Sequence, residues 1–414
     1  MQSQLFSISR AVNMTAPVAD AFVGLRVIEF AQGIAAPYCG LLLGRNGADV
    51  TKVEPLLNGD WCRSLGLRKG DFSSEFIVLN RGKKSLALDM KTPNGRAAAF
   101  KLASNADVII ENYRPSVTKR LGIDYEAVSS VNPKVVYASV TGFGELGPNS
   151  HMPATDTVMQ GFAGLMSINR DKDGVPQRIN MFAIDYATGL YLSQAVFASL
   201  YRRAKTGQGD YIQTSLLDSA MAFQESRLVA EKFEGSAVKP VGAPVGTFAT
   251  ADGYLSLNAR RTTHFNALCH ILGTDGWLSD ERFNTAENRL TNANQINSMV
   301  APYIKEKATA FWVSALSEAD ILHAPVHDYN DLFGAPQVLE TEAIGWIDVD
   351  EFGALPAAHI AGLPPASASD GKSMTPPRLG QGGRSALLGA GLTFDEIHSL
   401  QASGAAYLMD DGDC

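Results

Sequence analysis

The chain has 414 residues with 43 acidic and 35 basic side chains, a net charge of −8, so the concentrated positive charge that grips a phosphate backbone is missing and nucleic acid is not an expected partner. Apolar residues make up 45% and charged residues 19%, the proportions of an ordinary soluble globular protein, and the length points to two domains rather than one. No apolar run approaches the ~20 residues of a membrane span, so no membrane is implied. Cys39, Cys62, Cys269 and Cys414 are scattered without C-x-x-C spacing, which gives neither a zinc site nor a disulfide framework and fits a reduced, cytoplasmic setting.

The segment before Gly24 lacks the charged start and continuous apolar core of a secretory signal and reads as a leader, with Met14 as a second candidate start. Leu25 to Phe30 is then a short apolar strand, Ala36 to Gly47 a helix, and Asp49 to Glu54 another strand, a βαβ opening. Ser85 to Leu88 is a further strand. Thr92 caps a helix whose first position is Pro93 and which runs through Leu102. Asp107 to Glu111 and Lys134 to Val140 continue the rhythm of strands separated by helices, which predicts a parallel twisted sheet of the α/β class. The first turn, Ala31 to Pro37, contains no G-x-G-x-x-G, so the sheet is expected to be Rossmann-like without nicotinamide chemistry.

Asp185 stands before a long, mostly apolar, proline-free run ending in Arg202, Arg203 and Lys205, a helix with an acidic cap and a basic tail. Gly207 and Gly209 turn the chain into a strand at Tyr211 to Thr214, and a second apolar helix opens near Ser215. Farther on, Val245 to Thr250 and Tyr254 to Asn258 form a β-hairpin across Ala251, Asp252 and Gly253. Helical patterns at Thr263 to Leu272, Asn292 to Lys305 and Ala308 to Leu316 complete a smaller α+β region. Pro, Gly and Ser accumulate from Leu363 to Gly383, as in a surface-running connection, and Thr393 with Glu396 boxes a last helix through Leu400. Three segments follow: residues 22–225 as the first part of a large domain, 226–335 as the small domain, and 336–414 as a return segment completing the large one.

Six motifs in order carry a resemblance. They are the L-R-V-I-E-F opening, the A-D-V-x-K-V-E of Ala48 to Glu54, the N-R-G-K-K-S-L-A-L-D of Asn80 to Asp89, the D-V-I-I-E-N-Y-R-P of Asp107 to Pro115, the G-F-G-x-x-G-P of Gly142 to Pro148 and the T-A-D-G-Y of Thr250 to Tyr254. With Asp185 and the R-x-x-T-G-x-G of Arg203 to Gly209, the chain resembles the class III (CaiB/BaiF-type) coenzyme A transferases. The resemblance implies that Asp185 is the covalent nucleophile and that Asp156 has a supporting role, polarising or orienting, next to the alternative of a plain helix cap. It also implies that Gln32, Gly33 and Ile34 line the thioester pocket, that coenzyme A lies along Leu88, Lys91, Asn112, Tyr113 and Arg120, and that the chain forms an interlocked, ring-like homodimer.

The chemistry that resemblance implies needs a carboxylate. CoA moves between two acids through an aspartyl anhydride and an aspartyl-CoA thioester, so acyl-CoA and a small carboxylic acid, with a dicarboxylate such as succinate among the candidates, are the implied substrates, and no permanently bound cofactor or metal is required. A carboxylate at a helix amino end is expected to stay ionised at neutral pH. Acyl-CoA racemases of the same superfamily pair a His with an Asp; here Thr155 stands at the His position, which favours transfer, with racemisation or a catalytically silent CoA-binding protein as alternatives. His151 reads as an exposed loop residue. Gly242 and Gly246 fall where relatives carry a mobile glycine loop, and Arg260 and Arg261 are candidates for clamping a second carboxylate, though a solvated pair is the plainer reading.

Overall fold

A computed structural model describes residues 20–235, 240–349, 352–363 and 374–409. The expectation for Met14 lies outside these residues, as do 364–373 of the Leu363 to Gly383 connection; its described remainder, 374–383, is buried or half-buried rather than surface-running. The chain divides into two compact units, one reaching to Val229 and resuming at Glu342, the other spanning Ala230–Thr341.

The first unit opens with β1 (Arg26–Phe30), α1 (Ala35–Arg45) and β2 (Asp49–Glu54), followed by α2 (Ser74–Asn80), β3 (Lys84–Leu88), α3 (Pro93–Ser104) and β4 (Val108–Glu111). Then come β5 (Val136–Thr141), α4 (Asp156–Phe162), α5 (Ala183–Thr206), β6 (Asp210–Ser215) and α6 (Leu216–Phe223). The strands align in the order 3-2-1-4-5-6, all parallel, which is the doubly wound Rossmann arrangement. A two-residue strand, Ala406–Tyr407, adds antiparallel to the free edge of β3 and covers its unpaired backbone.

Side chains alternate across each strand and feed two separate cores. Ile28, Phe30, Val53, Ile109 and Tyr137 face α3 and the C-terminal residues Leu387, Ile397 and Leu400. Val27, Val50, Val108, Ile110 and Val136 face α1 and α5, where Leu192, Val196 and Leu200, four residues apart, form the buried stripe. Burial on both sides explains why these strands read as continuous apolar runs.

Helix α5 packs hard on α1. At Gly189 a Cβ would come within 2.6 Å of the Ala35 carbonyl oxygen and 2.9 Å of Tyr38 Cβ, so only glycine lets the two axes approach this closely. The contact fixes the amino end of α5 against the loop that enters α1. At its other end α5 closes with Gly207 N–H donating to Arg203 O at 2.8 Å, the stop its basic tail and glycine foretold. Thr92 caps α3, and Thr393 with Glu396 forms the expected box on Phe394–Ala402. An antiparallel pair, Ile344–Val349 with Gly353–Ala358, was not foreseen; its Pro356 and three alanines and two glycines weaken any strand pattern.

In the second unit the foreseen hairpin is present as Val245–Ala249 and Tyr254–Asn258, with Leu322–Pro325 as third strand. Helices Thr262–Leu272, Ala293–Lys305 and Thr309–Glu318 surround a core of Phe248, Leu255, Leu257, Phe265, Leu268 and Trp312. Arg289 is fully buried there, donating to the carbonyls of Phe283 and Arg260 and stacked 4.5 Å from the Phe265 ring.

Candidate active site

In a doubly wound sheet the strand order reverses between the first and fourth strands, and the crevice beyond their carboxyl ends is where ligands bind. Here β1 runs out into Ala31 to Ile34 and β4 into Asn112 to Pro115. A cavity of about 370 Å³ lies at that point, and Gln32, Ile34, Trp61, Asn112, Tyr113 and Asp185 are on its wall. The loops are tied to each other: Gln32 N–H donates to Asn112 Oδ1 at 3.0 Å, and Asn112 Nδ2 donates to Gln32 O at 2.7 Å.

Beneath the first loop sits a buried charge network. Lys52, fully buried on β2, bonds Glu29 at 2.8 Å, Asp60 at 2.7 Å and the Ala31 carbonyl at 2.7 Å. Asp60, also fully buried, accepts from Gly33 N at 2.9 Å and from Cys62 N at 2.8 Å. Glu29 also takes Lys83 at 2.7 Å, and Glu54 takes Arg63 at 2.7 Å. Three acids meet three bases, so every charge of this network is paired. Gly33 has φ +82° and lies against the Trp61 indole, where a Cβ would collide. Gln32 Oε1 accepts from Trp61 N at 3.3 Å, which leaves the Gln32 amide nitrogen as a free donor at the cavity wall. Asp60, Lys52 and Trp61 escaped the sequence reading. The signal was there: charged residues inside sheet strands, Glu29 in V-I-E-F and Lys52 and Glu54 in T-K-V-E, demand buried partners.

Asp185 is the third residue of α5, whose cap position is Phe182. It is therefore not the helix cap. That role falls to Asp156, at the start of α4 and 2% exposed, whose Oδ2 accepts from Ile184 N at 2.7 Å and Asp185 N at 3.2 Å while Oδ1 takes Gln160 Nε2 at 2.6 Å. Asp156 thus orients the Asp185 backbone and caps a helix other than its own. Tyr186, next in sequence to Asp185, donates to Glu75 Oε2 at 3.1 Å and meets the Tyr38 ring edge-on at 4.8 Å.

Electrostatics correct one expectation. Burial first, then the neighbouring Asp156 and Glu75 carboxylates, push Asp185 up to about 7. The helix terminus does not keep it ionised, because Asp156 has already taken the nearest backbone N–H groups and placed a like charge beside it. A second carboxyl, Glu111 at the end of β4, is pushed up to about 7 by burial, against the pull of Ser139 and the Tyr113 backbone N–H.

Of the other foreseen residues, Thr155 and His151 lie on the cavity wall, His151 being exposed as expected yet facing the same space as Asp185. Lys91 and Arg120 are exposed and not among the wall residues, and Leu88, 1% exposed, is in the core against α3. Among the described residues no group of His, Cys, Asp and Glu side chains could hold a metal ion, and no helix is long and apolar enough to cross a membrane.

Known proteins resemble this chain in sequence and fold. The family model described as CoA-transferase family III matches residues 22–382. The chain is similar to a succinyl-CoA:glutarate CoA-transferase of Mus musculus, 31% identical over 92% of this chain and 89% of that one. It is likewise similar to an acetyl-CoA:oxalate CoA-transferase of Acetobacter aceti, 32% identical over 76% and 83%. Among solved structures, a CAIB/BAIF family protein from Brucella suis superimposes with a TM-score of 0.78 at 29% identity, covering 89% of this chain and 98% of that one. A sheet with its switch-point cavity, an aspartate at a helix start on that cavity, and a match over nearly the whole length agree, and the chain belongs to CoA-transferase family III.

Proposed function

We propose that this protein transfers CoA from an acyl-CoA to a carboxylic acid, with Asp185 as the covalent nucleophile. The observation that carries the reading is that Asp185 lines the switch-point cavity together with Gln32, Asn112 and Tyr113. An Asp185 oxygen attacks the thioester carbonyl, the C–S bond breaks, and a mixed anhydride forms beside CoA thiolate. The thiolate attacks the Asp185 carbonyl carbon of that anhydride, giving aspartyl-CoA thioester and releasing the first acid as its carboxylate. The acceptor carboxylate then attacks the aspartyl thioester, and the released thiolate attacks the acceptor carbonyl of the new anhydride, restoring the Asp185 carboxylate. One thioester replaces another, so the sequence of steps balances without a metal or a resident cofactor; CoA enters as substrate.

Two donors fit the developing oxyanion. The Gln32 amide nitrogen is free, and α1 begins at Ala35 on the cavity wall, where the amino end of a helix carries partial positive charge. The backbone N–H groups of Gln32 and Gly33 are already bonded to Asn112 and Asp60. They hold the loop rather than the substrate.

The assembly we propose is the interlocked homodimer. Its support is apolar surface that one chain leaves open: Phe223, Val229 and Phe233, on α6 and the helix Glu225–Glu234, are 53%, 61% and 87% exposed. A cytoplasmic setting accords with the buried, unpaired Cys39, Cys62 and Cys269. Incubation with acetyl- or succinyl-CoA and a panel of acids tests the reading: new acyl-CoA products are expected, and Asp185→Ala abolishes them. If deuterium instead enters the α-carbon of an acyl-CoA in heavy water without any acceptor acid, the enzyme is a racemase and the proposal fails.

A further inference from the structure

We propose that Trp61 selects the acceptor: its indole is a platform for the apolar body of a carboxylic acid that carries one negative charge and no second. The inference rests on the transferase reading and names the substrate class for the same site.

The first support is how Trp61 is held. It begins a short 3-10 turn, Trp61–Ser64, whose cap is the buried Asp60. Asp60 is anchored by Lys52 at 2.7 Å and by Gly33 N–H at 2.9 Å. The Trp61 backbone N–H reaches Gln32 Oε1 at 3.3 Å, and the indole lies against the bare Cα of Gly33. Six fully or nearly buried charges thus stand behind one tryptophan. Yet that tryptophan is 52% exposed and on the wall of the Asp185 cavity. A large apolar ring fixed on one side and open on the other, inside a cavity, is built to be covered by a ligand.

The second support is charge. The groups acting on Asp185 are the carboxylates of Asp156 and Glu75, with no cation among them. A second carboxylate on the acceptor would enter a field that is already negative, where like charges are strongly disfavoured. Among the described residues Arg114 is the one Lys or Arg on the cavity wall, and His151 the other basic side chain. Arg114 is exposed and sits in the segment with Asn112 and Tyr113 that coenzyme A is proposed to follow, where a phosphate is its natural partner.

The test is an acceptor panel with acetyl-CoA as donor, comparing phenylacetate and isovalerate with succinate and glutarate. Wild-type kcat/KM is expected to favour the singly charged acids by about tenfold or more. Trp61→Ala should lower kcat/KM for those acids about tenfold, through KM, while changing succinate by no more than about twofold. Trp61→Phe should restore most of the loss. The assignment is overturned if the dicarboxylates are equal or better acceptors, or if Trp61→Ala lowers both classes alike. Should Trp61→Ala not fold, the wild-type ranking and Trp61→Phe still decide. Absence of transfer to every acid refutes the transferase reading itself, an outcome distinct from transfer with the opposite preference.

Discussion

The charge on Asp185 is costly to hold in the folded protein, and replacing it with its neutral isostere measures that cost. Folding raises the Asp185 carboxyl from an ordinary 3.8 to about 7. Between those values the folded state holds a proton the unfolded chain has lost, so the folded state binds more protons and stability falls as pH rises. The loss is complete above about 7. At 1.36 kcal/mol per pH unit the full gap corresponds to about 4 kcal/mol. The side chain lines an open cavity and water screens part of the penalty, so roughly 1–3 kcal/mol is the expected share. Asp185→Asn keeps the shape and removes the titration. In urea unfolding, the stability of Asp185→Asn relative to wild type should grow by roughly 1–3 kcal/mol between about pH 4.5 and pH 8. A difference that stays constant across that range, or shrinks, refutes the argument that burial and neighbouring carboxylates set this group.

The same carboxyl must lose its proton to attack, so kcat/KM should rise with pH through about 7; Asp156→Asn, which keeps an accepting oxygen but removes the nearest negative charge, should move that limb to lower pH. Asp156→Ala also strips the cap from α5, with a loss of about 1–2 kcal/mol in chemical denaturation. Lys52→Met leaves Glu29 and Asp60 without their shared cation and should destabilise by about 3–5 kcal/mol, a far larger loss than Lys84→Met, whose bridge to Asp49 is partly exposed. Gly33→Ala adds left-handed backbone strain of about 1–2 kcal/mol and displaces the Trp61 indole; thermal unfolding reads the first and acceptor KM the second.

Local signals carried much of this fold. Thr92 before Pro93, the Thr393–Glu396 box and the basic, glycine-stopped end of α5 are written within a few residues of where they act. So are the strand runs of β1 and β4, whose apolar character follows from burial on both faces. The order 3-2-1-4-5-6 was not legible, because it depends on pairings between distant segments such as Phe30 with Glu111. Nor was the division of labour between the two aspartates. Asp156 looks like a cap for the helix it starts, but it caps one that begins 27 residues later at Ala183, and only the packing of α4 beside α5 reveals it. Burial first, and then the same neighbour, overturned the expectation that Asp185 stays ionised. Trp61 carries no local signal of its place on the cavity wall, which is set by the network around Asp60.

Trapping the nucleophile tests the account most directly. Protein mixed with acyl-CoA and quenched with hydroxylamine, then digested and analysed by mass spectrometry, should carry a hydroxamate on the Asp185 peptide that is absent from the Asp185→Asn variant. CoA transfer that proceeds normally while Asp185 stays unmodified, or that survives Asp185→Asn, would contradict it.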